Sequence, residues 1–152
     1  MRPTETLEYE MMLLTRHISD LPGRSRRTGG NLDQSAYLLL SLLQAGGPMS
    51  IRELSEITGL DASTLNRQTA GLLKNNHAIR IPDPDGGLAR KFALTEAGDQ
   101  ALDEERSGSL ASLGRVLSDW SEKDVRDFAR LLRQFNTSIE RRTNRAWPRP
   151  SN

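Results

Sequence analysis

Between Asp61 and Asn75 the sequence places Ser63, Thr64, Asn66, Arg67, Gln68 and Lys74 on one short stretch. These side chains have a shared chemistry. The amides of Asn66 and Gln68 both donate and accept, as an adenine edge requires, and the guanidinium of Arg67 can bridge O6 and N7 of guanine. Lys74 adds a cation suited to phosphate. Residues three or four apart share a helix face, so Ser63, Asn66, Arg67 and Lys74 project together, while Leu65, Thr69, Leu72 and Leu73 supply an inner side. A plain solvated face would use the same residue types. The capping box upstream at Ser50–Glu53 and the hairpin downstream favour base reading, and Ala62 to Pro82 holds three cations (Arg67, Lys74, Arg80) and no acid.

A second group lies just downstream. Arg90 and Lys91 follow a turn containing Asp83 and Asp85, between the strand-like runs Ala78–Ile81 and Arg90–Leu94. A cation carried on such a hairpin suits the narrow, negatively charged minor groove of a duplex. Asp83 or Asp85 would hold it in orientation. No catalytic constellation competes with this reading. There is no nucleophile elbow, no Gly-rich phosphate loop after a strand and no H-E-x-x-H, so an enzyme is not expected. Cys is absent and only His17 and His77 are present, which leaves no expected metal site or cofactor.

The elements that must position these groups are mostly helical. Leu7, Met11, Leu14, Ile18 and Leu21 form one stripe in a helix from Thr4 to Leu21, which Pro22-Gly23 stops before the basic loop Arg24–Arg27. A second helix, Leu32 to Ala45, is capped by Asn31 or Asp33. Its Leu residues surround nearly the whole circumference, so it belongs at the centre of the fold. Ser50-Ile51-Arg52-Glu53 has the form of a capping box. A short helix ending at Gly59 and a restart at Asp61 then make a helix-turn-helix. The hairpin follows, and Thr95 caps a helix running toward Trp120, with a bend or break at Ser107-Gly108-Ser109. Ser121–Asp124 is a second capping box, before a helix with Val125, Phe128, Leu131, Leu132, Phe135 and Ile139 on one face. From Arg141 the chain reads as a frayed basic tail.

The fold class is therefore mainly α with a small β-hairpin wing, a winged helix-turn-helix with dimerisation helices at both ends. One domain is expected over 1–152: residues 4–45 and 95–140 as core and dimerisation helices, 49–94 as the winged lobe, 141–152 as the tail. The terminal stripes are too apolar for so small a lobe to cover, which implies packing against a second copy. The 152 residues carry 21 Lys+Arg against 20 Asp+Glu, a near-neutral total that hides a cationic middle, an acidic stretch from Asp99 to Asp127 and a basic end. At 5% aromatics the chain lacks the rings of an RNA-stacking surface. It also lacks a membrane-length apolar run and a secretory leader, so a cytoplasmic protein is expected.

From Met49 to Gly98 the sequence resembles the DNA-binding lobe of the multiple-antibiotic-resistance-regulator (MarR) family. The resemblance rests on Ile51-Arg52-Glu53-Leu54-Ser55, Gly59 through Arg67, Asp83-Pro84-Asp85-Gly86 and Leu94-Thr95-Glu96-Ala97-Gly98, and with the flanking helices extends over about residues 5 to 140. It implies a homodimeric regulator, commonly a repressor, that binds an inverted repeat in double-stranded DNA and is often released by a small aromatic or phenolic effector. Arg16, His17 and Tyr37 fall on the two helices that line the effector cavity in that family. Many relatives carry Arg just past the wing turn, where this sequence has Leu88. Arg90, two residues on, points to the same face of a strand and can stand in for it. A winged-helix protein-interaction module without specific DNA binding is the alternative, motivated by the near-zero charge and by Leu88.

Overall fold

The computed structural model describes residues 2–18 and 32–151. The expected end of the first helix at Leu21, the Pro22-Gly23 stop, the Arg24–Arg27 loop and the Asn31 cap lie outside those residues. Among the described residues, six helices and two strands follow in the order α1 (Pro3–Ile18), α2 (Gln34–Gly46), α3 (Ile51–Thr58), α4 (Ala62–Lys74), β1 (Ala78–Ile81), β2 (Lys91–Leu94), α5 (Glu96–Val116) and α6 (Glu122–Thr143). This is a mainly helical chain with one two-stranded hairpin, as the sequence predicts.

The core forms around α2. Leu39 and Leu40 are fully buried, Leu42 and Leu43 nearly so, and they join Leu54 of α3, Leu65 and Leu72 of α4, Phe92 of β2 and Leu102 of α5. Each full burial of a Leu side chain is worth about 1.5–3 kcal/mol, so this cluster holds the helix-turn-helix together. Polar contacts index α2 against α5: the Gln44 amide donates to Asp99 at 2.7 Å and accepts from Arg106 at 2.8 Å.

The helix starts follow their caps. Asp33 accepts from the Ala36 amide, Asp61 from Thr64, Thr95 from Gly98 and Ser121 from Asp124. At Ser50 the full reciprocal box is present, with Glu53 accepting the Ser50 amide in return. The expected second box at Ser121 is only half made, because the Ser121 hydroxyl donates to the Asp124 carboxylate at 2.7 Å. Gly59 closes α3 in the left-handed region, φ 73°, a conformation that favours Gly.

The hairpin pairs Ala78 with Leu94 and Arg80 with Phe92, and Met49 adds an isolated bridge to Phe92 on the far side of β2. Two expectations are corrected. α5 runs unbroken through Ser107-Gly108-Ser109, since one exposed Gly costs about 1 kcal/mol and does not interrupt a helix anchored on both sides. The tail from Arg141 is not frayed: α6 continues to Thr143, and the segment after it folds back onto the lobe, with Trp147 packed against the core cluster.

Two glycines give opposite expected outcomes in urea unfolding. Gly71 lies inside α4 with nothing near a would-be Cβ, so Gly71→Ala should raise stability by about 0.5–1 kcal/mol. A Cβ at Gly98 would collide with the backbone carbonyl of His77, so Gly98→Ala should lower stability by about 1–3 kcal/mol.

Candidate nucleic-acid interface

The inner side of α4 is fixed by Leu65, Thr69 and Leu72, all buried. The Thr69 hydroxyl satisfies itself by donating to Leu65 O at 2.7 Å and Asn66 O at 3.2 Å. With that side turned inward, Ser63, Asn66, Arg67, Ala70 and Lys74 are exposed along the opposite side. The structure thus brings four of the expected residues onto one outward row. Neither Arg67 nor Lys74 makes an ion pair among the described residues, and neither does Arg90.

Ser63 and Thr64 serve the cap. The Ser63 hydroxyl donates to Asp61 at 2.7 Å, the Thr64 amide at 2.7 Å and the Thr64 hydroxyl at 3.1 Å. These bonds, that from Ser63 foremost, hold the Asp61 carboxyl down to about 2. The free amides and dipole at a helix N-terminus attract anions, but here that place is filled by the chain's own carboxylate. The groups on this face left to attract an anion are therefore the exposed cations of Arg67 and Lys74.

Gln68 is not on the outward row. Its Oε1 is buried without a hydrogen-bond partner. It faces a cleft of about 300 Å³ between α4 and the start of α2, lined also by Leu32, Ser35, Arg67, Gly71 and His77. The sequence pattern puts it outside because 3.6-residue spacing leaves a flank position ambiguous.

On the wing, Leu88 and Arg90 are exposed, whereas Lys91 is turned inward with its side chain 12% exposed. The Lys91 ammonium lies 3.1 Å from Glu53 Oε1 and 3.7 Å from Asp83 Oδ1. The hydrogen bond to Glu53 raises the Lys91 pKa. Glu53 in turn is held below the ordinary carboxylate value, chiefly by the Ser50 amide. Asp83 thus pairs with Lys91 rather than Arg90, and it also accepts the Asp85 amide at 2.8 Å to shape the turn. Asp85 itself is exposed.

Two participants escape a reading of the sequence. Glu53 links the capping box to the wing, but its partner lies 38 residues away and no local spacing reveals it. Arg80 lies 5.5 Å over the Phe92 ring; its signal is direct cross-strand pairing, a contact typical of hairpins. Of the expected effector residues, Arg16 and His17 are exposed on α1 and Tyr37 is partly buried against the core. None of the three lines the cleft beside Gln68.

The Asp61 cap has a defined pH signature. A carboxyl whose folded pKa is depressed stabilises above its unfolded value and loses that contribution as pH falls through the folded one. The stability gap between the protein and its Asp61→Ala variant should be constant from about pH 6 to 8. It should narrow as pH falls from about 4 and close toward about 2, measured by urea unfolding. A gap that stays constant down to about pH 2 contradicts the cap assignment.

The winged helix-turn-helix DNA-binding family matches residues 32–75. YxaD of Bacillus subtilis, described as an uncharacterized HTH-type transcriptional regulator, is 37% identical over 137 residues, covering 90% of this chain and 95% of its own. Among solved structures, a MarR family protein from Bacillus stearothermophilus superposes with TM-score 0.76 at 22% identity, covering 91% of this chain and 98% of that one. The organohalide-sensing regulator RdhR, solved with 2,4-dichlorophenol bound, gives TM-score 0.66 at 12% identity, covering 91% and 82% of the two chains. With an outward polar helix, a hairpin wing and a regulator relative matched along nearly its whole length, the chain belongs to the winged helix-turn-helix transcriptional regulators, and it shares the fold of the MarR family protein.

Proposed function

We propose that the protein acts as a homodimer that reads an inverted-repeat operator, represses transcription from it, and is released by a small aromatic or phenolic ligand. The outward row on α4 carries the base-reading part, with Arg67 and Lys74 unpaired by any acid among the described residues. Asn66 and Arg67 meet base edges in the major groove, Lys74 meets phosphate, and Arg90 enters the minor groove from the wing.

Dimerisation is supported by what the single chain leaves uncovered. Leu7, Met11 and Leu14 of α1, Leu110 and Leu113 of α5, and Phe128, Leu131, Leu132, Phe135 and Ile139 of α6 are all exposed. Apolar stripes of this extent on three helices exceed what soluble monomers usually leave in water. A two-fold partner covers these stripes with its own terminal helices. Ligand release is supported by the relative solved with 2,4-dichlorophenol bound. The cleft beside Arg67 and Gln68 has room for a molecule of that class and adjoins the reading face.

Duplexes selected from a random pool should contain an inverted repeat with half-site centres about 10 base pairs apart, and binding should weaken steeply with salt. Arg67→Ala should cost about 1–3 kcal/mol and relax one base position. Arg90→Ala should weaken binding while changing major-groove preference less. Salt-insensitive binding, or an unchanged selected sequence with Arg67→Ala, contradicts these roles. In sedimentation the protein should run as a dimer and Leu131→Glu as a monomer; a monomeric parent protein refutes the two-fold arrangement.

A further inference from the structure

The segment after α6 makes contacts that a loose tail would not. Asn144, in the left-handed region at φ 53°, ends α6 and turns the chain, with the Arg145 amide donating to Glu140 O at 3.0 Å. Glu140 then gathers the returning segment. It accepts the Trp147 amide at 3.2 Å and is held by the forked guanidinium of Arg149, which also donates to Trp147 O. This ion pair is largely shielded, at 28% and 13% side-chain exposure. Trp147 packs against the core of the lobe, and the Pro148 ring lies where a Cβ on Gly46, at the end of α2, would come within 3.2 Å. Arg145 lies across Gly59, in the joint between α3 and α4, with its Nη1 2.6 Å from a would-be Cβ.

α6 otherwise has little hold on its own lobe. It buries no residue and packs extensively on no other element among the described residues. α5 leaves the lobe, a turn joins it to α6, α6 returns, and residues 145–149 close the triangle. A closed triangle fixes an angle that an open arm does not.

We infer that residues 145–149 are a strap that sets the angle between the reading lobe and the dimerisation helices, with Trp147 and Arg149 as positioning residues for operator spacing. This rests on the dimeric DNA-binding reading above. Two recognition helices must enter grooves about 34 Å apart, so angular slack between lobe and α6 shows directly as tolerance of the wrong half-site separation.

The test uses the full-length protein with Trp147→Ala, Arg149→Ala and Arg149→Lys, and duplexes carrying the half-sites that the parent protein selects. Fluorescence anisotropy measures binding to separations from one base pair below to two above the selected one, and to an isolated half-site. The parent should favour one separation by about tenfold or more, and Trp147→Ala and Arg149→Ala should reduce that preference to within about threefold, with half-site affinity unchanged. Arg149→Lys keeps the charge but loses the fork, and should fall between. An undiminished spacing preference in both alanine variants overturns the strap. So does a half-site affinity that falls in step with two-site affinity, which marks damage to the lobe itself. Arg149→Ala leaves Trp147 in the core and guards against an unfolded Trp147→Ala. If the parent protein selects no DNA, the functional reading fails before the strap is reached.

Discussion

The packing of α2 against the inner side of α4 is the constraint on which the interface depends. α4 has no intrinsic reason to present Asn66 and Arg67 to solvent. It does so because Leu65 and Leu72 are consumed by the leucines of α2 and Leu54 of α3. Burial fixes the rotation of the helix, and rotation fixes which polar residues face outward. Thr69 fits this inner side because its hydroxyl bonds back to its own helix. Gln68 has no such option, and its unpartnered oxygen marks where close packing gives way to the cleft.

A second coupling joins the short helix α3 to the wing. Glu53 accepts the Ser50 amide as part of the helix start and also binds Lys91 of β2. The same carboxylate therefore helps begin the helix-turn-helix and seats the base of the hairpin. Lys91 is spent on this structural pairing, which leaves Arg90 as the exposed cation beside it, without an ion pair among the described residues. The two adjacent cations that look interchangeable in sequence differ in placement, Lys91 turned inward at the start of β2 and Arg90 exposed just before it.

What the sequence disclosed is what local physics decides. Asp61, Ser50 and Thr95 each announce a helix start within four residues, and the two apolar runs around Asp83–Gly87 announce the hairpin, so element order and the outward row were legible. The Glu53–Lys91 pair, the inward turn of Gln68 and the return of the tail were not, because each is settled by a partner distant in sequence or by packing. The tail is the clearest case. Arg141, Arg142, Arg145 and Arg149, with Pro148 and Pro150 among them, read as solvated chain. Yet Glu140 and Trp147 together recruit Arg149 and turn the segment inward.

Charge placement, rather than total charge, reconciles a formal net of +1 with a DNA-binding surface. Most acids of the stretch from Asp99 to Asp127 already have local partners: Asp99 holds Gln44, Glu105 the Leu32 amide, Asp103 Arg106, Glu122 Arg126 and Asp127 Lys123. The 21 residues of α5 span roughly 30 Å at about 1.5 Å per residue. The acids beyond its far end therefore lie several screening lengths of about 8 Å from the cap where α5 leaves the lobe. Arg67, Lys74 and Arg90 have no paired acid among the described residues and stand on the lobe itself. A near-neutral total is therefore compatible with a face whose cations are left without acid partners among the described residues.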